Sequence, residues 1–585
     1  MGRAVVRRCR WGADTTVTIR TFMCDAPVTR TTMEHAKGPL LTIDVGDRSV
    51  EESTIDDHLE SFLGGRGIAT KLAHERIPFT ADPLGPENRA YLSTGPLQQS
   101  QMSFTGRMNM TSLSPLTDGL VSTNAGGYLS RNFAGTGYPV VEVVGESDEL
   151  LAIHVSDDGV EFEAVPELRE AHVPHVSEVM NDRHGLESEN LVTIGPAGEN
   201  LVRFACVMTY DSRAFGRGGL GAVLGSKGVK TISFAGESAP TVDLPSEVQS
   251  EIHGEAATTD DMMKRQGTTA GTQFINDNFS LPTRYFSELS FEDVEGINGD
   301  AVESKKYEKA ACSVCAFACK LPTRDEASGV ETEGPEFETV FSFGSNQGIG
   351  DIVDVMQSNE LCDLLGMDTI SAGNVVAAYL AAEDEFGNAA LVHDLLPKIA
   401  HREGIGDLLA EGVDRAHADL GVENWSVKGM EFAAHDGRVL NGQGLSYAVA
   451  NRGADHMYGN MLSPEYDGAV DPNGLSAEKV ELLIHRENKM AVRDSGVLCA
   501  FGIDDYVTEA DFAALLRTDW ERLDAIGDRI VALERHFNNQ RGRDRADDRL
   551  PYDIEGFESA LEQYYAGRQW NDDGTVPEAI VENSL

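Results

Sequence analysis

The feature that most constrains what this chain can fold into is the run CSVCAFAC at 312–319, which sets Cys315 and Cys319 three and seven residues after Cys312. In a helix those offsets place all three sulfurs on one face, where a single metal centre can collect them. The eight cysteines, at 9, 24, 206, 312, 315, 319, 362 and 499, are too unevenly spread for a secreted disulfide framework, so reduced thiols are expected. A buried run of small residues would also explain the octet, but three thiols this close favour ligation. Structural zinc usually takes two separated pairs of ligands, whereas one triplet with a distant fourth fits an iron–sulfur cluster better. The order C-x2-C-x3-C is also the reverse of the radical-SAM array, which leaves one iron open. A fourth thiolate is therefore expected, from Cys206, Cys362 or Cys499.

A chain of 585 residues is long enough for about three or four domains, which makes a large enzyme the default class. Its 96 acidic against 48 basic residues give a formal charge of −48, which repels duplex nucleic acid and an anionic membrane surface. With 41% hydrophobic residues the chain is folded, and the charge coats its surface. Such a surface tolerates concentrated salt and points to the cytoplasm of a salt-adapted organism, such as a halophilic archaeon. No run approaches the roughly 18 apolar residues of a membrane span. Residues 1–32 hold six arginines and two acids, and no apolar stretch follows Arg7-Arg8. The segment reads as a disordered extension or a mis-set start, with Met33 as the alternative initiator, rather than as an export signal.

From residue 40 to about 235, short apolar β runs alternate with glycine turns, among them YPVVEVVGE and the pair LLAIHVS and VEFEAV across Asp158-Gly159, a hairpin signal. A polar stretch near 239–244 breaks the pattern, and helical periodicity follows, as at 375–386 and 405–420. An amphipathic run over 511–538 is expected to be the helix that closes the fold, and glycine-rich loops resume near Val422. The expected class is α+β, with the extension at 1–32, a β-rich N-terminal domain at 33–240, and two mainly α-helical domains at 241–421 and 422–585.

Residues 363–368 read D-L-L-G-M-D and residues 494–499 read D-S-G-V-L-C, two loops in one Asp-led frame. Either alone passes for a helix end with a turn. Together with the cysteine triplet they resemble the aldehyde:ferredoxin oxidoreductase family, in which D-x-x-G-L-D and D-x-x-G-L-C loops each hold one of two pterins around a tungsten atom. The likeness runs from about residue 40 to 571. It implies that Cys499 joins Cys312, Cys315 and Cys319 on a [4Fe-4S] cluster. It further implies that Asp363, Gly366, Asp368, Asp494 and Leu498 contact the pterins of a tungsten or molybdenum centre. The family's phosphate and magnesium shell is matched by G-R-M-N at 106–109, T-N-A-G-G at 123–127 and S-R-A-F-G-R-G-G at 212–219. Arg107, Asn124, Arg213 and Ala214 carry over, with Mg2+ bridging the pterin phosphates. The residue types suit the chemistry, since a phosphate-ended pterin needs guanidinium forks, close glycine backbone and hard oxygens.

E-G-P-E-F-E-T at 333–339 and N-R-G-A-D-H at 451–456 each supply a candidate acid or base, although a lone carboxylate is usually solvated and a lone histidine usually structural. The family places a glutamate and a histidine beside the metal, which map onto Glu338 and His456, with Glu336 the neighbouring competitor. Residues 216–221 also satisfy G-x-G-x-x-G, but without a preceding buried strand or a ribose-binding acid they read as a chain-reversing turn rather than a nicotinamide site. Two departures stand out. The second loop has Val497 where the family has glycine, with Gly496 one position earlier, which predicts a different local backbone. The iron that hyperthermophilic members hold between subunits falls on Gln357 and His393, and loss of the carboxylate argues against it.

The resemblance implies oxidation of a small aldehyde to its carboxylate, with ferredoxin taking the electrons and a homodimer as a possible assembly. In that reaction His456 donates a hydrogen bond to the aldehyde oxygen, and Glu338, raised in pKa by burial, takes a proton from water. Relatives acting on formaldehyde, on glyceraldehyde 3-phosphate or in aromatic thioester reduction form the nearest alternatives. A non-catalytic iron–sulfur electron carrier would explain the cysteines but leave the paired loops and the arginine–glycine shell without purpose.

Overall fold

Alternating apolar residues up to Phe234 build two six-stranded sheets, and almost everything after them is helical. The computed structural model describes residues 38–240 and 242–584. The arginine-rich opening segment, Met33, Cys9 and Cys24 lie outside the described residues. The first sheet has the order β2(Ser49–Thr54), β1(Pro39–Asp44), β6(Val140–Val144), β3(Ala90–Ser93), β4(Met108–Leu113) and β5(Leu120–Ala125). The second has the order β11(Arg213–Phe215), β10(Val207–Thr209), β9(Leu191–Thr193), β12(Val229–Phe234), β7(Leu151–Ser156) and β8(Gly159–Ala164). Only β1 with β6 and β7 with β12 pair in parallel; the other ladders are antiparallel. The expected hairpin forms, with Ser156 opposite Gly159.

The sheets pack face to face through Leu41, Ile43, Leu92, Met110 and Val143 on one side and Ile153, Val192, Phe215 and Ile232 on the other. The outer face of the first sheet is covered by the helix Gly65–Arg76, whose Ile68, Ala69, Leu72 and Ala73 meet Leu40, Tyr91, Leu113 and Val140. With both faces covered, β3 and β4 are buried along their whole length. The β-rich part followed by helices is the α+β class expected.

Two helical expectations need correction. Residues 405–420 form two short helices, Ile405–Leu409 and Val413–Leu420, because Gly412 at φ 83° breaks the run. Residues 511–538 are likewise split, into Glu509–Leu515 and Trp520–Gln540, by Arg517 at φ 53°. That run does not close the fold either, since the helices Phe557–Gly567 and Glu578–Ser584 follow it. The helix at 375–386 is present as Thr369–Glu383.

Two helix ends position the site. Ile352–Leu365 stops at Gly366 (φ 76°, ψ 52°) and Ala477–Gly496 stops at Val497 (φ 58°, ψ 36°), both left-handed. Each end folds alike. The amides of Gly366 and Met367 both donate to the Cys362 carbonyl, and those of Val497 and Leu498 both donate to that of Arg493. The expectation that Val497 changes the local backbone is thus wrong. The valine adopts the glycine conformation and bears the strain, while Gly496 is needed for room, since a Cβ there would lie 2.4 Å from Phe512 Cζ. Both ends rest on glycines of the N-terminal part: a Cβ at Gly195 would fall 2.2 Å from the Leu365 carbonyl, and one at Gly65 would fall 2.3 Å from that of Asp494.

At the first seat there is no room for a side chain, because a Cβ on Gly366 would sit 2.8 Å from the Gly195 nitrogen. Gly366→Val is expected to cost about 2–5 kcal/mol from left-handed strain plus overpacking, read as a lower thermal-unfolding midpoint. Val497→Gly should shift the midpoint far less, because relief of about 1–2 kcal/mol of strain offsets much of the lost burial. Equal shifts for the two variants would show that the seats are not what distinguishes them.

Candidate active site and metal-binding pocket

The CSVCAFAC segment is not a helix. It is a string of turns between the helix Gly299–Lys305 and the strand Pro322–Arg324, with Val314 and Ala318 both at φ 51°. A helix strings its residues out at about 1.5 Å each along an axis, whereas left-handed turns curl the chain so that ligands can converge on a point. The loop is tied down by Ser313 N–H to the Gly127 carbonyl (3.1 Å), Ala316 N–H to Ser103 Oγ (2.9 Å) and Tyr128 O–H to the Ala311 carbonyl (3.0 Å). Cys499 arrives from the second helix end, its amide donating to the Phe104 carbonyl at 2.7 Å.

All four thiols are free and half-buried. Burial pushes Cys315 and Cys319 up, and each also feels the charge of Cys499 and Cys312. The described residues contain one set of three His, Cys, Asp or Glu ligand atoms within 4.8 Å of one another, and no cysteine belongs to it. A zinc tetrathiolate, with Zn–S near 2.3 Å, has sulfurs about 3.8 Å apart, and no three of the four thiols are drawn together that closely. Cys206 and Cys362 sit elsewhere, buried beside the first helix end, where the Cys206 amide donates to the Gly366 carbonyl at 3.0 Å.

Arginines line the neighbouring interior. Arg107 hydrogen-bonds Cys499 and is raised chiefly by the charge on that sulfur, and its Nη1 reaches the Asn124 carbonyl at 3.5 Å. Arg213, on β11 beside Ala214, pairs with Glu333 and stands 3.6 Å from Glu336. Asp494 faces Arg493 at 2.7 Å and Arg66 at 3.5 Å, and Leu498 is buried next to it. Asp368 caps the helix Thr369–Glu383 by accepting from the Ile370 amide (3.1 Å) and Ser371 amide (3.3 Å), and it holds Arg217 Nε at 3.4 Å. Asp363 is pushed well up by burial and by Glu333, and it accepts from Asn359 at 3.0 Å.

Sequence reasoning missed Arg66, Arg217 and Arg452, although the last two lie inside motifs already quoted. Arg66 forks onto Glu534 through two 2.7 Å hydrogen bonds and stacks 3.6 Å from the Tyr458 ring, whose ring also carries Arg452 at 4.5 Å. Arg217 joins three segments, reaching Asp368, the Ala454 carbonyl (3.1 Å) and the Glu431 carbonyl (2.6 Å). Of the seven buried guanidinium nitrogens without a hydrogen-bond partner among the described residues, four are here: Arg66 Nη1, Arg107 Nε, Arg213 Nε and Arg452 Nε. Unpaired buried donors are costly, and a phosphate-bearing ligand would satisfy them. The residues therefore fit a pterin with its phosphate. The G-x-G-x-x-G turn follows β11, a three-residue strand antiparallel to β10 and not the parallel strand of a dinucleotide fold.

Beside this pocket Glu338, in the first turn of the helix Phe337–Phe343, meets two histidines. Its Oε2 accepts from the Ala434 amide at 2.9 Å; its Oε1, without a hydrogen bond, lies 3.5 Å from His456 Nε2 and 3.7 Å from His435 Nε2. Burial raises Glu338, against the opposing charge of His456. His435, which sequence reasoning missed for want of any motif around it, is driven well down by burial and by His456, and so stays neutral. The Nδ1 atoms of both histidines lack partners. Asp455 is held below the usual carboxylate range, with Arg452 overcoming its burial, and accepts from the Met457 and Tyr458 amides at 2.8 and 2.9 Å, which fixes the turn carrying His456. Glu336, the competitor, accepts from Thr268 at 2.6 Å and stands 3.6 Å from Arg213. Gln357 and His393 lie on helices outside this pocket, with His393 Nε2 at the Asp354 carbonyl (3.0 Å).

Comparison with known proteins bears on the whole chain. Residues 40–236 match the family model described as aldehyde ferredoxin oxidoreductase, N-terminal domain, and residues 243–583 match that for domains 2 and 3. The chain is 34% identical to the tungsten-containing aldehyde ferredoxin oxidoreductase of Pyrococcus furiosus, over 93% of its own length and 97% of the relative's. The same figures hold for the protein of that name from Thermococcus kodakarensis. Similarity to the WOR-like subunit of aliphatic sulfonate oxidoreductase from Pyrococcus furiosus is 27% over 85% of each chain. The active-site complex BamBC of benzoyl coenzyme A reductase shares the fold, with a TM-score of 0.80 at 20% identity over 94% of this chain and 97% of that one. With both halves matched and a relative above 30% identity along nearly its full length, the chain belongs to the aldehyde ferredoxin oxidoreductase family.

Proposed function

We propose that this chain oxidises a small aldehyde to its carboxylate at a tungsten bis-pterin and passes the electrons through a [4Fe-4S] cluster to ferredoxin. The balance is RCHO + H2O → RCOO− + 3 H+ + 2 e−. The observation that carries this reading is the convergence of four free thiols, four unpartnered guanidinium nitrogens and the Glu338–histidine group in one interior. When bound, the metal–pterin group supplies the two-electron oxidation and the cluster hands the electrons on singly.

The residues divide the work. Cys312, Cys315, Cys319 and Cys499 hold the cluster. Arg66, Arg107, Arg213 and Arg452 would offer N–H groups to pterin phosphates, Asn124 and Ala214 would belong to the Mg2+ shell, and Asp363, Gly366, Asp368, Asp494 and Leu498 would line the pterins. Molybdenum is the alternative metal, since sulfur of the pterin and not a side chain grips it. His456 turns Nε2 toward Glu338, which leaves Nδ1 to donate to the carbonyl oxygen; Glu338 takes a proton from water at Oε1 while Ala434 N–H fixes Oε2. No helix among the described residues is long and apolar enough to cross a membrane, and we place the enzyme, with its reduced thiols, in the cytoplasm.

Metal and pterin analysis, with a viologen-coupled aldehyde panel, tests the assignment: iron together with tungsten or molybdenum and pterin is expected, and iron alone would leave only an electron carrier. Glu338→Gln and His456→Ala should each lower kcat by at least about 100-fold with metal content unchanged; near-normal turnover would remove them from the reaction. Because burial raises Glu338 and the base works ionised, kcat/KM should fall as pH drops through a value above the ordinary glutamate range, about 4.3. An acid limb at or below that value would show that another group accepts the proton.

A further inference from the structure

At the edge of the second sheet, remote in the fold from the cysteine loop, three further ligands meet. His154 projects from β7, Glu163 from the edge strand β8, and His184 ends the helix Val173–His184. The ladder pairs His154 with Glu161 and Ala152 with Glu163, so His154 and Glu163 are diagonal neighbours on one face. The helix packs on that face through Val176 and Met180 against Leu150, Ala152 and Leu191, which brings His184 to its rim. Glu163 Oε2 stands 2.9 Å from His184 Nε2 and 3.3 Å from His154 Nε2, and the three ligand atoms lie within 4.8 Å of one another. A tetrahedral cation with ligands at about 2.0–2.1 Å has edges of about 3.3 Å. The two contacts to Glu163 Oε2, 2.9 and 3.3 Å, are close to that size, and the exposed flank of His184 leaves the fourth corner to solvent.

The surroundings are those of a ligand set. His154 Nδ1 lies 2.8 Å from Ser233 Oγ on β12, an outer partner that holds the ring with Nε2 toward the carboxylate. Arg183 occupies the other carboxylate oxygen of Glu163 at 2.7 Å and is itself shared with Glu167, so Oε2 alone serves both imidazoles. The helix C-terminus and Glu161 add negative potential.

We propose that His154, Glu163 and His184 bind a borderline divalent transition cation, with Zn2+ as the type, which clamps the end of this helix to the sheet edge. Two imidazoles and one carboxylate suit Zn2+, Co2+, Ni2+ or Cu2+; Mg2+ and Ca2+ prefer shells of oxygen alone. On binding, the one proton of neutral His154 sits on Nδ1 and donates to Ser233 Oγ, and no redox change is involved.

The test uses the cofactor-loaded enzyme, whose cysteines are occupied. Calorimetric titration with Zn2+ should show a single equivalent, weakened about tenfold or more in His184→Ala and in Glu163→Gln, with aldehyde oxidation unchanged. The Cu2+-loaded protein should show electron paramagnetic resonance coupling to two nitrogens, reduced to one in His184→Ala. His184 is exposed at a helix end, so that variant keeps the fold. No Zn2+ binding by the unmodified enzyme, equal affinity in all three proteins, or a Cu2+ spectrum indifferent to His184→Ala would overturn the proposal.

Discussion

The rest of this structure is arranged around buried positive charge. Arg66, Arg217 and Arg452 are almost wholly inside, joined by Arg107 and Arg213, in a protein whose formal charge is −48. Taking a guanidinium out of water costs several kcal/mol unless partners replace the solvent. Each arginine accordingly meets a carboxylate, a carbonyl or a thiol: Glu534 for Arg66, Cys499 for Arg107, Glu333 for Arg213, Asp368 for Arg217 and Asp455 for Arg452. Apart from Asp455, three residues from Arg452, those partners lie more than a hundred residues away in the chain, so satisfying the arginines also fixes how the sheets and helices sit together. Four of the five still keep a buried nitrogen without a hydrogen bond, which is why the interior reads as a receptor for an anion rather than as a finished core.

The helix ends serve the same interior in pairs. Gly366 and Val497 turn the chain identically, so Asp363 and Asp494, and Asp368 and Cys499, take equivalent places in two loops. Divergence at the last position has a physical consequence. Asp368 caps the next helix and grips Arg217, whereas Cys499 has no helix to cap and is free to face the cysteine loop. One backbone motif thus does two jobs, set by which side chain ends it. Val497 shows that the left-handed residue is required by the turn even where glycine is absent.

Polarity around Glu338 is set by burial more than by any single partner. Glu338 is raised and His435 is lowered by the same loss of water, so a carboxylate that can accept a proton sits beside an imidazole that remains neutral. His456 lies beside both groups, with Asp455 and Arg452 fixing its turn.

Much of this was legible in the residues themselves. The cysteine triplet, the paired Asp-led loops and the switch from β alternation to helical periodicity all follow from spacing, because local conformation depends on near neighbours. The resemblance then supplied Cys499, Glu338 and His456. Three things were settled only by the tertiary structure: that CSVCAFAC curls instead of forming a helix, that Val497 holds the glycine geometry, and that His435, Arg66, Arg217 and Arg452 belong to the pocket. The reason is common to all three. Each depends on atoms distant in sequence, such as Phe512 packed on Gly496 or Asp368 waiting for Arg217, and no local pattern encodes which far segments will share a low-dielectric space.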